Sequence, residues 1–466
     1  MELIARVVGG RVWTADGPID ADIEIGQDGR IARIAPRGEE SGGAGAGQKA
    51  HRVDGERTGP ALDAKGLWVL PGAVDIHVHL REPGLTESED FLTGTAAAAA
   101  GGVTTVLDMP NTVPPVSDGR RLREKKALVA GRAWVDYGLF GTLAAGCPSD
   151  RGRLAAQAEE LLEEGACGIK LFLGPTTGGI EAPSWGELYR LFSSWTGPQA
   201  VFAFHCEDRD VIDKARPGAE FLEGYRALLA WRPRFGELLA TEGVLRLSLE
   251  TGARVHIAHV ALKEAVDAVA RAKAAGAPVT AETCPQYLLL TEDDFEWAGE
   301  EMKVLPLIRS RSDRERLWTG LREGAIDAVA TDHAPHRRPG GARAPFDGPF
   351  GMAGVQILLP LLLDRAIRGE CRVEDVVRWT SEAPAKAYGL HPRKGAILPG
   401  ADADLVLVDP EREWSIGEPW WRSKSRNTPF WGRRGRGFPV ATLLRGRVVS
   451  REGVPAGEPQ GTFLGR

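Results

Sequence analysis

The most constraining feature of this chain is an alternation that runs from about Val69 to Tyr388, in which short apolar runs of β type are separated by longer stretches with apolar residues at helical spacing. The β-type runs include Val103 to Leu107, Gly168 to Leu173, Val201 to Phe204 and Ala325 to Ala330; between them lie helical patterns such as Arg153 to Glu164 and Ala261 to Ala275. Neighbouring parallel strands need a crossover, and a helix supplies it, so the alternation implies a parallel sheet. Over that length the natural closure is a (β/α)8 TIM barrel with insertions, and the expected fold class is α/β.

The chain ends read differently. Before about Leu70 there are β-like runs, Ala21 to Ile25 and Ile31 to Ile34, set between Gly and Asp turns, and after Gly389 the pattern returns in Ala403 to Val408 and Ala441 to Val449. Residues 1–70 and 389–466 are therefore expected to pair into one small β-sandwich domain beside a barrel spanning 71–388. Between Arg37 and Pro60 the Gly/Ala/Ser/Glu-rich stretch around Ser41 to Gly45 has no periodicity and reads as a loop or hairpin excursion. Trp414, Trp420, Trp421 and Trp431 are expected to pack the β domain on the barrel rather than to form a partner surface. Arg433, Arg434 and Arg436 read as a solvated turn, and Ala96 to Ala100 with Gly101-Gly102 as a tightly packed helix and its stop.

Composition excludes several function classes. With 43% hydrophobic and 26% charged residues the chain is ordinary for a globular protein. No apolar run approaches the roughly 20 residues that span a bilayer. Met1 to Trp13 carries Glu2, Arg6 and Arg11 and lacks the apolar core of a signal peptide, so the expectation is a cytoplasmic protein with no membrane role. The five cysteines, Cys147, Cys167, Cys206, Cys284 and Cys371, are scattered and form no C-x-x-C pair, against both a disulfide framework and a zinc ribbon. A net charge of -6, with basic residues concentrated only near the C-terminus, gives no reason to expect nucleic acid. Small-molecule chemistry remains.

That chemistry is signalled at the ends of the β-type runs, where a TIM barrel keeps its active site. After the apolar run Pro71 to Ile76 comes His77-Val78-His79, and in a strand residues two apart point to one side, so both imidazoles can grip one metal. Lys170, His205, His259 and Asp332 follow in or just after later runs. Only nine histidines exist, and four of them sit in these positions. Each alone reads as a hydrogen-bonded core histidine; the set reads as a metal centre. Lys170 is the odd member, because a protonated lysine is a poor ligand and costly to bury. Carboxylation by carbon dioxide would give an anionic carbamate able to bridge two cations, with His77, His79 and Asp332 on one and His205 and His259 on the other. The alternative for Lys170 is a barrel lysine paired to a carboxylate.

The set His77-x-His79, Lys170, His205, His259 and Asp332 resembles the binuclear amidohydrolase superfamily, and in it the cyclic amidohydrolases: dihydroorotases, hydantoinases and allantoinases. The likeness runs over nearly the whole chain. His77 to Gly84 looks like the dihydroorotase form, in which the residue at Arg81 binds the substrate carboxylate; Met109-Pro110-Asn111-Thr112, His205-Cys206-Glu207-Asp208, Asp332-His333-Ala334-Pro335-His336 and Ser423 to Phe430 are similar in the same sense. The resemblance implies Arg81, Asn111 and His336 at a substrate carboxylate, Asp332 as metal ligand and acid/base, and two divalent ions, zinc first, bridged by carboxylated Lys170. It further implies attack on the ring amide by a hydroxide between those ions, in the interconversion of (S)-dihydroorotate and N-carbamoyl-L-aspartate that pyrimidine (UMP) biosynthesis uses. A homo-oligomer is expected, with a carbamoyltransferase as a candidate partner. Three stretches depart from the dihydroorotase pattern: Leu305 stands where many carry Asn, Glu282 to Tyr287 is closer to hydantoinases and allantoinases, and Phe346 to Met352 is not a close match. The alternatives are thus a hydantoinase or allantoinase, and a non-catalytic dihydroorotase-like scaffold subunit.

Overall fold

The computed structural model describes residues 2–37, 59–143, 152–216, 224–337 and 348–465. Ser41 to Gly45, Cys147, Phe346 and Asp347, named above, lie outside the described residues.

Eight parallel strands follow one another in chain order around a barrel. They are β1 (Ala73–Val78), β2 (Val103–Asp108), β3 (Asp136–Thr142), β4 (Gly168–Phe172), β5 (Phe202–His205), β6 (Val255–Ile257), β7 (Val279–Thr283) and β8 (Ala328–Val329). Residues just past β8 bring the ring round to β1: Val78 bridges His333 in parallel. There the His79 amide donates to the His333 carbonyl at 2.7 Å. β8 is shorter than the Ala325 to Ala330 run because Ala325 and Ile326 lie in the turn that follows the helix Arg311–Glu323, the Ile326 amide donating back to Gly320 O at 3.1 Å. Along β4 the pleat decides the layers, with Ile169 and Leu171 in the core under the helices and Lys170 turned to the other side.

The remaining strands form a separate nine-stranded sheet built from both chain ends. Its centre is the antiparallel pairing of Trp68–Pro71 with Leu405–Ser415, in the register Val69↔Leu407 and Pro71↔Leu405. These strands read as continuous apolar runs because both of their faces are buried. Val69, Leu405, Leu407, Leu443 and Val448 join Val7, Val12, Ile23 and Ile25 in the sheet's own core, while Leu70, Val406, Val408, Leu444 and Val449 belong to the core shared with the barrel.

Two expected runs turn out to be divided. Ala441 to Val449 is a hairpin of strands Arg434–Leu444 and Arg447–Arg451, turning at Arg445 (φ 46°) and Gly446 (φ 73°), the positive pair that a two-residue turn needs. Pro71 to Ile76 serves two sheets and changes allegiance at Gly72, where a Cβ would lie 2.2 Å from the Thr104 hydroxyl. Arg434 and Arg436 are exposed as expected but lie on a strand rather than in a turn. Trp414, Trp420 and Trp421 are buried, whereas Trp431 is 41% exposed beside the Trp421 ring. The helix Phe91–Ala100 is capped by Asp90, which accepts from the Thr93 amide, and stops at Gly101, whose missing Cβ lets the Gln356 carbonyl approach. Among the described residues no helix is long and apolar enough to cross a membrane.

Barrel and sheet are joined by buried charge. The Lys394 ammonium sits among Asp136 at the start of β3, Asp404 at 2.6 Å and Asp402 at 2.9 Å, and Arg445 also reaches Asp136. Burial pushes the Asp136 carboxyl up, and Lys394 with Arg445 overcomes this and holds it below its ordinary value. Replacing Lys394 with Met removes the cation that three buried carboxylates share, leaving Asp136 to Arg445 and Asp402 to Arg393, and Asp404 with no cation in its place. The expected loss is about 3–5 kcal/mol of stability in urea unfolding; a loss under about 1 kcal/mol would mean that the cluster is open to water.

Candidate active site

The site is assembled at one end of the barrel because every strand there points the same way. His77 lies in β1 and His79 just beyond it, and the register between β1 and β2 shifts between Asp75 and Val78. A bulge of this kind re-aims the side chains beside it. His77 Nδ1 hydrogen-bonds Glu282 and His79 Nδ1 hydrogen-bonds Asn111 Oδ1 at 2.7 Å. Both Nε2 atoms therefore face Asp332, whose Oδ1 is 3.4 Å from His77 Nε2 and 3.0 Å from His79 Nε2. These three side chains can hold a metal ion between them.

A second pair adjoins the first. His205 at the end of β5 places Nδ1 3.0 Å from Nε2 of His259, which follows β6. The four rings form a continuous group, with centroids 5.4 Å apart for His79 and His77, 5.2 Å for His77 and His259, and 4.7 Å for His259 and His205. Burial lowers the His77 pKa to about 4 and carries His79 and His259 well below their ordinary value. The neutral ring that results is the form that binds a cation.

Lys170 is fully buried in β4, and its Nζ has no hydrogen-bond partner. Burial lowers its pKa to about 8, against the pull of Glu282 and Asp332. An ammonium so placed is expensive. A bridging carbamate at the same position would be an anion among neutral imidazoles, so the residues present fit a pair of cations better than they fit a bare lysine.

His77, His79, Arg81, Asn111, His205, His259, Asp332 and His336 all line one cavity of about 330 Å³. The Arg81 guanidinium is 3% exposed, with Nε donating to Pro335 O at 3.0 Å and NH2 2.9 Å from His336 Nε2. Burial lowers its pKa to about 10, which still leaves a cation at neutral pH. Leu305 also lines the cavity, together with Phe172, Trp231 and Phe350. Among the described residues, three of the five non-glycine residues with positive φ are site residues: Arg81 at 61°, His259 at 38° and Asp332 at 47°. Strain of this sort persists where surrounding contacts over-determine the backbone, as they do here.

Sequence reasoning missed the partners behind these groups. Glu282 at the end of β7 orients His77 and lies 3.2 Å from His256 Nε2; a glutamate in a buried strand is itself the signal that could have found it. Glu207 stands 2.9 Å from His205 Nε2 and accepts from the buried Arg232 at 2.7 Å, and nothing local in the sequence marks Arg232. Asn111 commits its Oδ1 to His79 and donates from Nδ2 to Thr176 at 3.2 Å, a task not foreseen for it.

A family model described as the amidohydrolase family matches residues 68–187 and 229–449. A dihydroorotase of Halobacterium salinarum is 40% identical, covering 85% of this chain and 92% of that protein. An allantoinase of Rubrobacter xylanophilus is 38% identical, covering 86% and 88%. Among solved structures, the L-hydantoinase (dihydropyrimidinase) from Arthrobacter aurescens superposes with a TM-score of 0.87 at 30% identity, covering 100% of both chains.

Replacing Glu282 with Gln removes the carboxylate that orients His77. Partners of this kind typically contribute 10–100-fold to metal affinity. Metal analysis after dialysis is expected to show depletion in this variant, and wild-type occupancy would mean that His77 is held by other contacts.

Proposed function

This chain belongs to the amidohydrolase family, and within it we propose that the protein is a dihydroorotase, hydrolysing L-dihydroorotate to N-carbamoyl-L-aspartate and closing it again. The observation that carries this reading is the buried Arg81 guanidinium on the cavity wall, aimed by Pro335 O and the His336 ring. A desolvated guanidinium presents parallel N–H donors that match a carboxylate, and dihydroorotate carries one whereas hydantoin and allantoin do not.

In this reading His77, His79 and Asp332 would hold one divalent ion, zinc first, His205 and His259 would hold the other, and a carboxylated Lys170 would serve both. Such ions supply the Lewis acidity that polarises the ring carbonyl and activates water against it. Asp332 stands on the metal side of the cavity, and burial raises its carboxyl above the ordinary value, against His77, Lys170 and His205. That suits a base that takes the proton of the attacking water and then returns it, as an acid, to the leaving ring nitrogen. Arg81 and the His336 ring hold the carboxylate, so the amide carbonyl faces the histidines. Asn111 adds its amide while keeping His79 aligned.

One observation favours a second reading. Leu305 and three aromatic rings give the cavity an apolar wall, and hydantoinases and allantoinases stand among the similar proteins, so a neutral cyclic amide is the competing substrate.

Metal-supplemented turnover of L-dihydroorotate, hydantoin and allantoin separates the two. Dihydroorotate is expected to be preferred, and Arg81→Ala to lose about a hundredfold in kcat/KM on it, the scale of two charge-assisted hydrogen bonds. Preference for hydantoin or allantoin would move the assignment to the second reading. Asp332→Asn is expected to lower turnover by roughly 10²–10⁴-fold, the range for a positioned acid/base; near-normal turnover would remove Asp332 from that role.

A further inference from the structure

Between the strands Leu405–Ser415 and Arg434–Leu444 the sheet sends out a segment that lies against the barrel rather than on the sheet itself. Ser423 bonds Glu89, Ser425 Oγ donates to Ser88 O at 2.8 Å, and Lys424 Nζ donates to Thr86 O at 2.7 Å, so the segment is strapped to the loop that follows Arg81. The next buried residue, Asn427, is 5% exposed and turns three polar atoms toward two other loops. Its Oδ1 accepts from the His336 amide at 3.3 Å, its Nδ2 donates to Gly351 O at 2.9 Å, and its own carbonyl accepts from the Ala353 amide at 2.8 Å. Gly351 belongs to the same contact, since a Cβ there would stand 2.4 Å from Ala334 O.

We infer that Asn427 is a positioning residue for the Arg81 carboxylate seat, acting through His336. The chain of contacts is short. Arg81 is aimed by two groups, Pro335 O and the His336 ring, and the backbone that carries both is tied to the Gly351–Ala353 segment by the Asn427 side chain. An amide is the side chain that suits the place, because it must accept from an N–H on one loop and donate to a carbonyl on the other at once. Asp, Ser or Leu cannot do both at this reach. The Ala334 amide also donates to Met352 O at 2.8 Å and the Arg337 amide to Ser88 Oγ at 3.4 Å, so the backbone on either side of His336 keeps its place without the tie, and what is lost is the anchor at His336 itself. The two acceptors that fix the guanidinium then move over a short range, while the histidine cluster and Asp332, held by their own partners, stay in place. Specificity for an anionic substrate is thereby set in part by a residue of the flanking sheet's segment. This inference rests on the carboxylate-binding role proposed for Arg81.

The test compares wild type with Asn427→Leu, Asn427→Asp and, as a control on the same segment, Arg426→Ala, whose exposed side chain pairs with Glu418. KM and kcat are measured on L-dihydroorotate, metal content on all four proteins, and amide exchange at His336 and Ala353. Asn427→Leu is expected to raise KM about tenfold with kcat within twofold and full metal content, and to speed exchange of the His336 amide. Asn427→Asp, which keeps the acceptor and loses the donor, should fall between, and Arg426→Ala should match wild type. An unchanged KM with a protected His336 amide in Asn427→Leu overturns the inference, as does a fall in kcat and thermal midpoint with KM unmoved, the pattern of a merely structural residue. Should Asn427→Leu fail to fold, Asn427→Asp decides by the same two readouts. A wild-type enzyme with no turnover of dihydroorotate would sink the carboxylate-seat reading alone, and the exchange of the His336 amide would still judge the tie.

Discussion

The site is organised around one uncomfortable group, an ammonium at zero exposure with no hydrogen-bond partner. Lys170 cannot be moved to water, because the pleat of β4 that buries Ile169 and Leu171 under the helices turns it inward. The surroundings answer with structure rather than with an ion pair. Glu282 is taken up by His77 and His256, and Asn111 by His79 and Thr176. Glu207 is taken up by His205 and Arg232. Each partner fixes one nitrogen of a ring and so decides where the other points, around a lysine that feels Glu282 and Asp332 but hydrogen-bonds neither. His77, His79 and Asp332 in such a pocket can hold a positive ion.

The sequence revealed the part of this that depends on local pattern. Short apolar runs of β type alternating with helical patterns gave the barrel, and once the strands are parallel their ends must meet, so residues as far apart as His77, Lys170, His205, His259 and Asp332 could be gathered without knowing a single distance. What stayed hidden depends on register and on who faces whom. The shift between β1 and β2 beneath the H-x-H pair leaves no trace in composition. Arg232 sits just past a surface helix and looks like any solvated arginine until Glu207 is placed beside it. Apolar runs were also misjudged in their length, since Pro71 to Ile76 and Ala441 to Val449 each proved to be two strands divided by a glycine-bearing junction: apolarity reports burial, and burial continues across a turn when both sides are covered.

The flanking sheet is more than a companion to the barrel. Its central strands bury one face in their own core and the other against the barrel, its turn at Arg445 enters the Lys394 cluster, and its long excursion lies along the loops of the mouth. Shape at the site is thus specified by chain remote from it in both directions, and a substitution on the sheet can alter the site without touching the histidine cluster.

The pairing of Trp68–Pro71 with Leu405–Ser415 also has a history in time. When the first of these strands leaves the ribosome its partner is still more than three hundred residues away, and the whole barrel is made in between. At the usual pace of synthesis the nascent chain therefore carries an unsatisfied strand edge for tens of seconds, the kind of edge on which unrelated chains aggregate.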